Sequence, residues 1–341
     1  MLSKLMWVVV TVAIGIGSQE GVFAQESFYK DKTVRVVVGF SAGGGFDTYA
    51  RVIARHIGKH VPGNPAVIVE NMAGAGSLIA ANHAFNSAKP DGLTISNWIG
   101  GLVLQAVLGS KGIQFHAPKF EWVGALEDAQ SCGLAKVEGI TNVQEWLASK
   151  KPVKLGGTAS GSTDVDIPRV LKATLGLPIQ LVEGYKGTAD IRLAADSGEV
   201  SGYCGTWLGM KSTWSKALES GDANIVIQVN TNKHPDLQNV PNAVDLAKTD
   251  DARDLIKMGI HYQADISRTY SLPPGTPKDR VAILQKAFLQ TMKDKEFLED
   301  VNKAKLAVEP ISGNEVGKIV TEYFSMKPPL IASLKEILLS R

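Results

Sequence analysis

Apolar and polar positions along this chain change period repeatedly, and the changes coincide with glycine or other small residues. "KTVRVVVGF" (32–40) reads as a strand, and "GFDTYARVIARHIGKHV" (45–61) spaces its apolar residues three and four apart, as an amphipathic helix does. "NPAVIVEN" (64–71) is the next strand, "MAGAGS" (72–77) a small-residue turn, "SLIAANHAFNSA" (77–88) a helix and "LTISNW" (93–98) a third strand. The order returns in "PVKLGGTASGSTDVDIPRVLKATLG" (152–176). Such alternation predicts an α/β protein of mostly parallel sheets wrapped by helices. Near the C-terminus, Thr276 is a candidate N-cap ahead of Pro277, and Ser312 with Glu315 forms a capping box. The stripe Val281, Leu284, Phe288 and Met292 is read as core.

Three units share the order strand, small-residue turn, helix. Glycine admits positive φ and close backbone approach, and a helix start offers free N–H groups, so each turn suits an anion. Nucleotide motifs fail on the residues. A G-x-G-x-x-G count from Gly43 and Gly45 ends on Thr48, and a P-loop count from Gly39 and Gly44 meets Gly45 and Phe46 where Lys and Ser or Thr belong. "GTASGS" lacks the G-x-S-x-G of a nucleophile elbow, because Gly157 precedes Ser160 by three positions. His56 and His60 share a helix face, but "HIGKH" has no Glu and implies no third ligand, so it reads as a solvated face and no metal is expected.

The chain opens with a basic Lys4, an apolar run over 5–17 and Val22-Phe23-Ala24, the pattern of a secretory signal peptide (1–24) cut after Ala24. The chain beyond Ala24 is long enough for two domains. A formal net charge of +2, from 36 basic and 34 acidic residues, carries no basic stripe and excludes nucleic acid as the expected partner. The two cysteines, Cys132 and Cys204, fit either one disulfide or two buried thiols in an oxidising compartment.

In order, "VRVVVGFSAGGGFDTYARVIA", "VIVENMAGAGSLIAAN", "KPDGLTI", "GTASGSTD", "EGYKGTADI" and "LPPGTPKDRV" resemble the extracytoplasmic receptors of tripartite tricarboxylate transporters, the TctC-like or Bug family. The resemblance implies a two-lobed periplasmic binding protein (type II-like), each lobe a mostly parallel sheet flanked by helices, with the ligand cleft between them. Lobe 1 would hold 25–126 plus 231–341, and lobe 2 127–230. It further implies a monomeric, non-enzymatic periplasmic receptor without cofactor. The receptor would take a small organic carboxylate and deliver it to a large and a small integral membrane subunit. A receptor feeding a signalling protein and a secreted serine hydrolase are the alternatives.

Carried over residue by residue, the resemblance puts Ala42, Gly43, Gly44, Gly45 and Phe46 around a ligand carboxylate, with Asp47 organising their loop. Ala75, Gly76 and Ser77 would come from the second turn, and Ser160, Gly161, Ser162 and Thr163 from the third, joined by Tyr185 and Lys186 of "YKG". Three positions depart from the family pattern: Val165 replaces a frequent His, Gly184 a frequent Pro, and Gly205 a polar side chain. Gly205 and Thr206, flanked by Tyr203 and Trp207 and joined by Trp98, would then suit an aromatic or bulky carboxylate. In this topology the strand bearing Cys132 would lie beside the one bearing Cys204, which would allow a disulfide.

Overall fold

The computed structural model describes residues 28–136, 139–158, 161–185 and 187–339; the expected signal peptide, Ser160 and Lys186 lie outside the described residues. In chain order the strands are β1 (Thr33–Val38), β2 (Ala66–Asn71), β3 (Thr94–Ile99), β4 (Glu121–Leu126), β5 (Gln130–Ala135), β6 (Val153–Gly157), β7 (Ile179–Glu183), β8 (Gly202–Thr206), β9 (Ala223–Gln228), β10 (Arg268–Leu272) and β11 (Pro310–Ser312). Among the described residues they form two mixed sheets, β11-β4-β10-β3-β1-β2 and β7-β6-β8-β5-β9. β10 and β11 run against their neighbours in the first sheet, and β5 does so in the second. The remaining strands of each sheet share one direction, so their following turns gather at one edge.

The chain passes from one sheet to the other between β4 and β5 and returns between β9 and β10. The two crossings lie side by side: Gln130 N–H donates to Asn230 Oδ1 at 2.7 Å, and Val229 N–H to the Gln130 carbonyl at 3.0 Å. The helices Asp250–Ile256 and Pro328–Leu339 both pack on Thr163–Leu175, which follows β6 of the second sheet. The segment 231–341, expected within the first lobe, therefore also carries helices that rest on the second.

Helix Gly45–Ile57 buries Tyr49, Ala50, Val52, Ile53 and Ile57 against the first sheet, the face its apolar spacing requires. Val281, Leu284, Phe288 and Met292 close the same core from helix Lys278–Thr291 and the residue after it. Thr276 is not the cap of that helix: Pro277 holds the position, and the Thr276 hydroxyl donates to the Pro273 carbonyl at 2.8 Å. The capping box of Ser312 and Glu315 forms in full.

His56 and His60 do not look onto solvent as a free pair. His56 Nε2 lies 3.0 Å from Asp300 and His60 Nε2 3.3 Å from Asp294, while Lys59 bridges Asp294 and Glu296. These polar contacts, with the Lys59 ion pairs among them, thus clamp this segment to Lys295–Lys303 and its cap Asp294. Sequence spacing misses the seam because its two sides are more than two hundred residues apart.

Candidate ligand cleft

The first glycine turn follows β1. Gly43 has φ of 81°, and the helix starts from Gly44, whose lack of a side chain leaves the cap unfilled. Asp47 fills it from within the first turn. Its Oδ2 accepts Gly43 N–H at 2.8 Å and Arg51 Nε at 2.8 Å, and its Oδ1 accepts Asn71 Nδ2 at 2.9 Å. The Arg51 hydrogen bond above all, with those of Gly43 and Asn71, pulls this buried carboxyl down to about 2. With both oxygens occupied, Asp47 braces the turn. Ala42, Gly43, Gly44 and Gly45 stay exposed and Phe46 half-buried, so the N–H groups of the helix start face an open space.

In the second turn Gly74, Ala75, Gly76 and Ser77 all have positive φ, a sterically costly run for Ala and Ser. Burial of Ser77 holds it in place: its hydroxyl accepts Ile99 N–H at 3.1 Å at the end of β3. Its Cβ also sits where one on Gly39 would come within 2.3 Å, so glycine at 39 is a packing requirement. Ser77 is thus a fastener, while Ala75 and Gly76 are exposed.

The third turn repeats the device of the first. Asp164, in the first turn of Thr163–Leu175, accepts Thr158 N–H at 3.1 Å, the Thr158 hydroxyl at 2.9 Å and the Ser162 hydroxyl. Gly161, with φ of 90°, donates its N–H to Asp166 at 3.0 Å. Burial pushes the Asp166 carboxyl up to about 7. Ser162 belongs to the brace, and Thr163 is half-buried at the helix start.

Two residues mark where the lobes approach one another over these turns. Gln105 Nε2, in helix Gly101–Val107 of the first sheet, lies 3.9 Å from where a Cβ on Gly161 would stand. Leu208, in helix Trp207–Thr213 of the second, packs into the first lobe's cluster with Phe40 and Phe46. No local signal in the sequence marks Gln105 or Leu208.

Two of the expected aromatic lining residues, Trp98 and Tyr203, are in the core instead. Trp98 is fully buried, stacked among Phe115, Phe120 and Trp122, with its indole N–H donating to Ser271 Oγ at 2.9 Å. β3 is an inner strand buried along nearly its whole length, so a large ring there becomes core. Tyr203 is likewise buried, edge-on to Trp214, and Gly205 lies beneath it in β8. Trp207 is engaged at the crossings: its N–H donates to the Ala129 carbonyl at 2.7 Å and its indole to Asp236 at 2.9 Å. Thr206 caps its helix through Gly209 N–H, and the Tyr185 hydroxyl donates to Glu199 at 2.6 Å.

Cys132 and Cys204 are direct cross-strand partners in β5 and β8, and a disulfide joins them with Cα atoms 3.9 Å apart.

One charged residue at the cleft edge carries no signal in the sequence. Arg268 begins β10 and pairs in register with Ile99 and Leu126, the last residues of β3 and β4. Its guanidinium lies 4.4 Å from the Tyr49 ring centroid and 5.2 Å from that of Phe46.

A family model described as the tripartite tricarboxylate transporter family receptor matches residues 49–335. A UPF0065 protein of Cupriavidus necator is 25% identical over 318 residues, spanning 88% of this chain and 86% of its own length. Among solved structures, a TctC solute-binding protein from Polaromonas superposes with TM-score 0.71 at 19% identity, covering 91% of this chain and 99% of the other. MatC from Rhodopseudomonas palustris with bound malate superposes with TM-score 0.61 at 20% identity, covering 90% and 99%.

Proposed function

The chain belongs to the tripartite tricarboxylate transporter receptor family, and from that premise we propose that it is a periplasmic receptor that binds a small organic carboxylate and hands it to a two-subunit membrane transporter. The observation that carries the ligand class is the exposed 43–45 turn, held open by a buried carboxylate that is itself fully hydrogen-bonded. Fixed N–H donors at a helix start favour a carboxylate by charge-assisted hydrogen bonds, and the brace keeps them in place before ligand arrives. The opposed turn at Gly161 to Asp164 would close over the ligand from the second lobe. A malate-bound neighbour of the same fold supports the class. With Trp98 and Tyr203 in the core, neither supplies a ring that would favour an aromatic ligand over an aliphatic one. Ser162 spends its hydroxyl on Asp164, a brace rather than the activation of a nucleophile. The receptor would act as a monomer without cofactor.

The test is a thermal-shift screen against aliphatic, hydroxy and aromatic carboxylates, with their amides, sugars and nucleotides as controls. A ligand at about 100 times its Kd adds ~2.7 kcal/mol, a shift of a few degrees. Stabilisation by a carboxylate and not by its amide is expected. A response confined to sugars or nucleotides would remove the reading.

A further inference from the structure

Because β10 runs against its neighbours, its first residue stands where theirs end, at the edge where open α/β sheets receive ligands. That residue is Arg268, only 8% exposed. Its Nη1 is paired with Asp128 Oδ2 at 2.5 Å, and Nε has no hydrogen-bond partner. Nη2 points to the glycine turn, 3.9 Å from where a Cβ on Gly45 would stand. A guanidinium has five N–H donors, and burying it with most of them unspent is costly unless an acceptor completes the set. Asp128, meanwhile, also accepts the Ser267 hydroxyl at 3.1 Å, so its attachment does not depend on Arg268 alone.

We propose that Arg268 is a specificity-determining residue of the cleft: its outer edge and the helix-start amides of Gly45 and Phe46 hold one anionic head group, in competition with Asp128. This rests on the receptor reading and deepens it. The turn by itself offers partial charges, which a neutral carbonyl oxygen also satisfies; a guanidinium adds a full charge in a geometry matched to a carboxylate. The site should therefore take the acid and reject the amide. Glycine at 45 leaves the approach to Nη2 clear of side-chain atoms.

The experiment is calorimetric titration of the full mature chain with malate, adipate, hexanoate and adipamide. Wild type is compared with Arg268→Lys, Asp128→Asn and the double variant Arg268→Gln/Asp128→Asn, which avoids leaving one buried charge alone. For whichever acid wild type binds, the double variant should weaken binding by at least about 30-fold and lose the preference for acid over amide, with Arg268→Lys intermediate. Asp128→Asn should tighten it, since the competitor is gone. A double variant that folds and binds the acid within threefold of wild type, with the preference intact, would overturn the role of Arg268 and leave the receptor reading standing. A wild type that binds none of the acids overturns both.

Discussion

Asp47 and Arg268 show two ways a charged side chain is used at one turn. Asp47 is spent entirely on structure: three donors converge on it, and no oxygen is left for a ligand. Asp47→Asn should cost roughly 1–3 kcal/mol at neutral pH, because a charge-assisted bond to a buried acceptor is lost. The sign with pH comes from its depressed pKa. The contribution is present above the ordinary value of 3.8 and fades as pH falls towards about 2, so the variant and wild type should converge in acid melts. The role of Asp47 was legible in the sequence, since an acid in the first turn after a glycine cap has few other uses. Arg268 was not, because a residue at a strand start has no local pattern that tells which edge of a sheet it will occupy. Trp98 departs from its expected place for a related reason: a ring near the end of a strand points to cleft or core according to what covers the strand.

The second sheet is held together by a device that the first lacks. The disulfide between β5 and β8 closes a separation of 72 residues that contains β6 and β7, so it restrains the unfolded chain over most of the second lobe. Reduction, or Cys132→Ala/Cys204→Ala, should lower stability by ~2–4 kcal/mol, read from urea melts with and without reductant. Hydrogen exchange should place the loss in β5 to β8 and leave β1 to β3 protected. The resemblance placed the cysteine strands side by side, whereas spacing alone left a disulfide and two thiols open. The ion-pair seam of His56, Lys59 and His60 had no comparable clue, because its acidic half comes from Asp294, Glu296 and Asp300.

Taken as a whole, the molecule joins its two sheets through two adjacent crossings, and acidic groups crowd there. Glu127 lies beside Asp265, Glu309 and Asp128; burial first, then their charges, raises it to about 7 from 4.5. A carboxyl with a raised folded pKa stabilises the fold at low pH and loses that contribution as pH rises through the folded value. Glu127→Gln should therefore raise the melting temperature relative to wild type at pH 8 and leave it unchanged below about pH 4.5, the ordinary glutamate range. Buried His261, held neutral down to about 4, works in the opposite direction in both proteins and cancels in the comparison. Taken alone, the residues fix the order of strands and helices, the turns that need glycine, and the acids that cap them, because these depend on backbone sterics and side-chain period within a few positions. Which side chains line the space between the lobes was decided by sheet order and strand direction. Reversal of β10 brings Arg268 to the carboxyl edge, burial of β3 takes Trp98 into the core, and the double crossing sets Leu208 against the first lobe's cluster. These pairings join residues scores to hundreds of positions apart, and only the packing of two sheets brings them together.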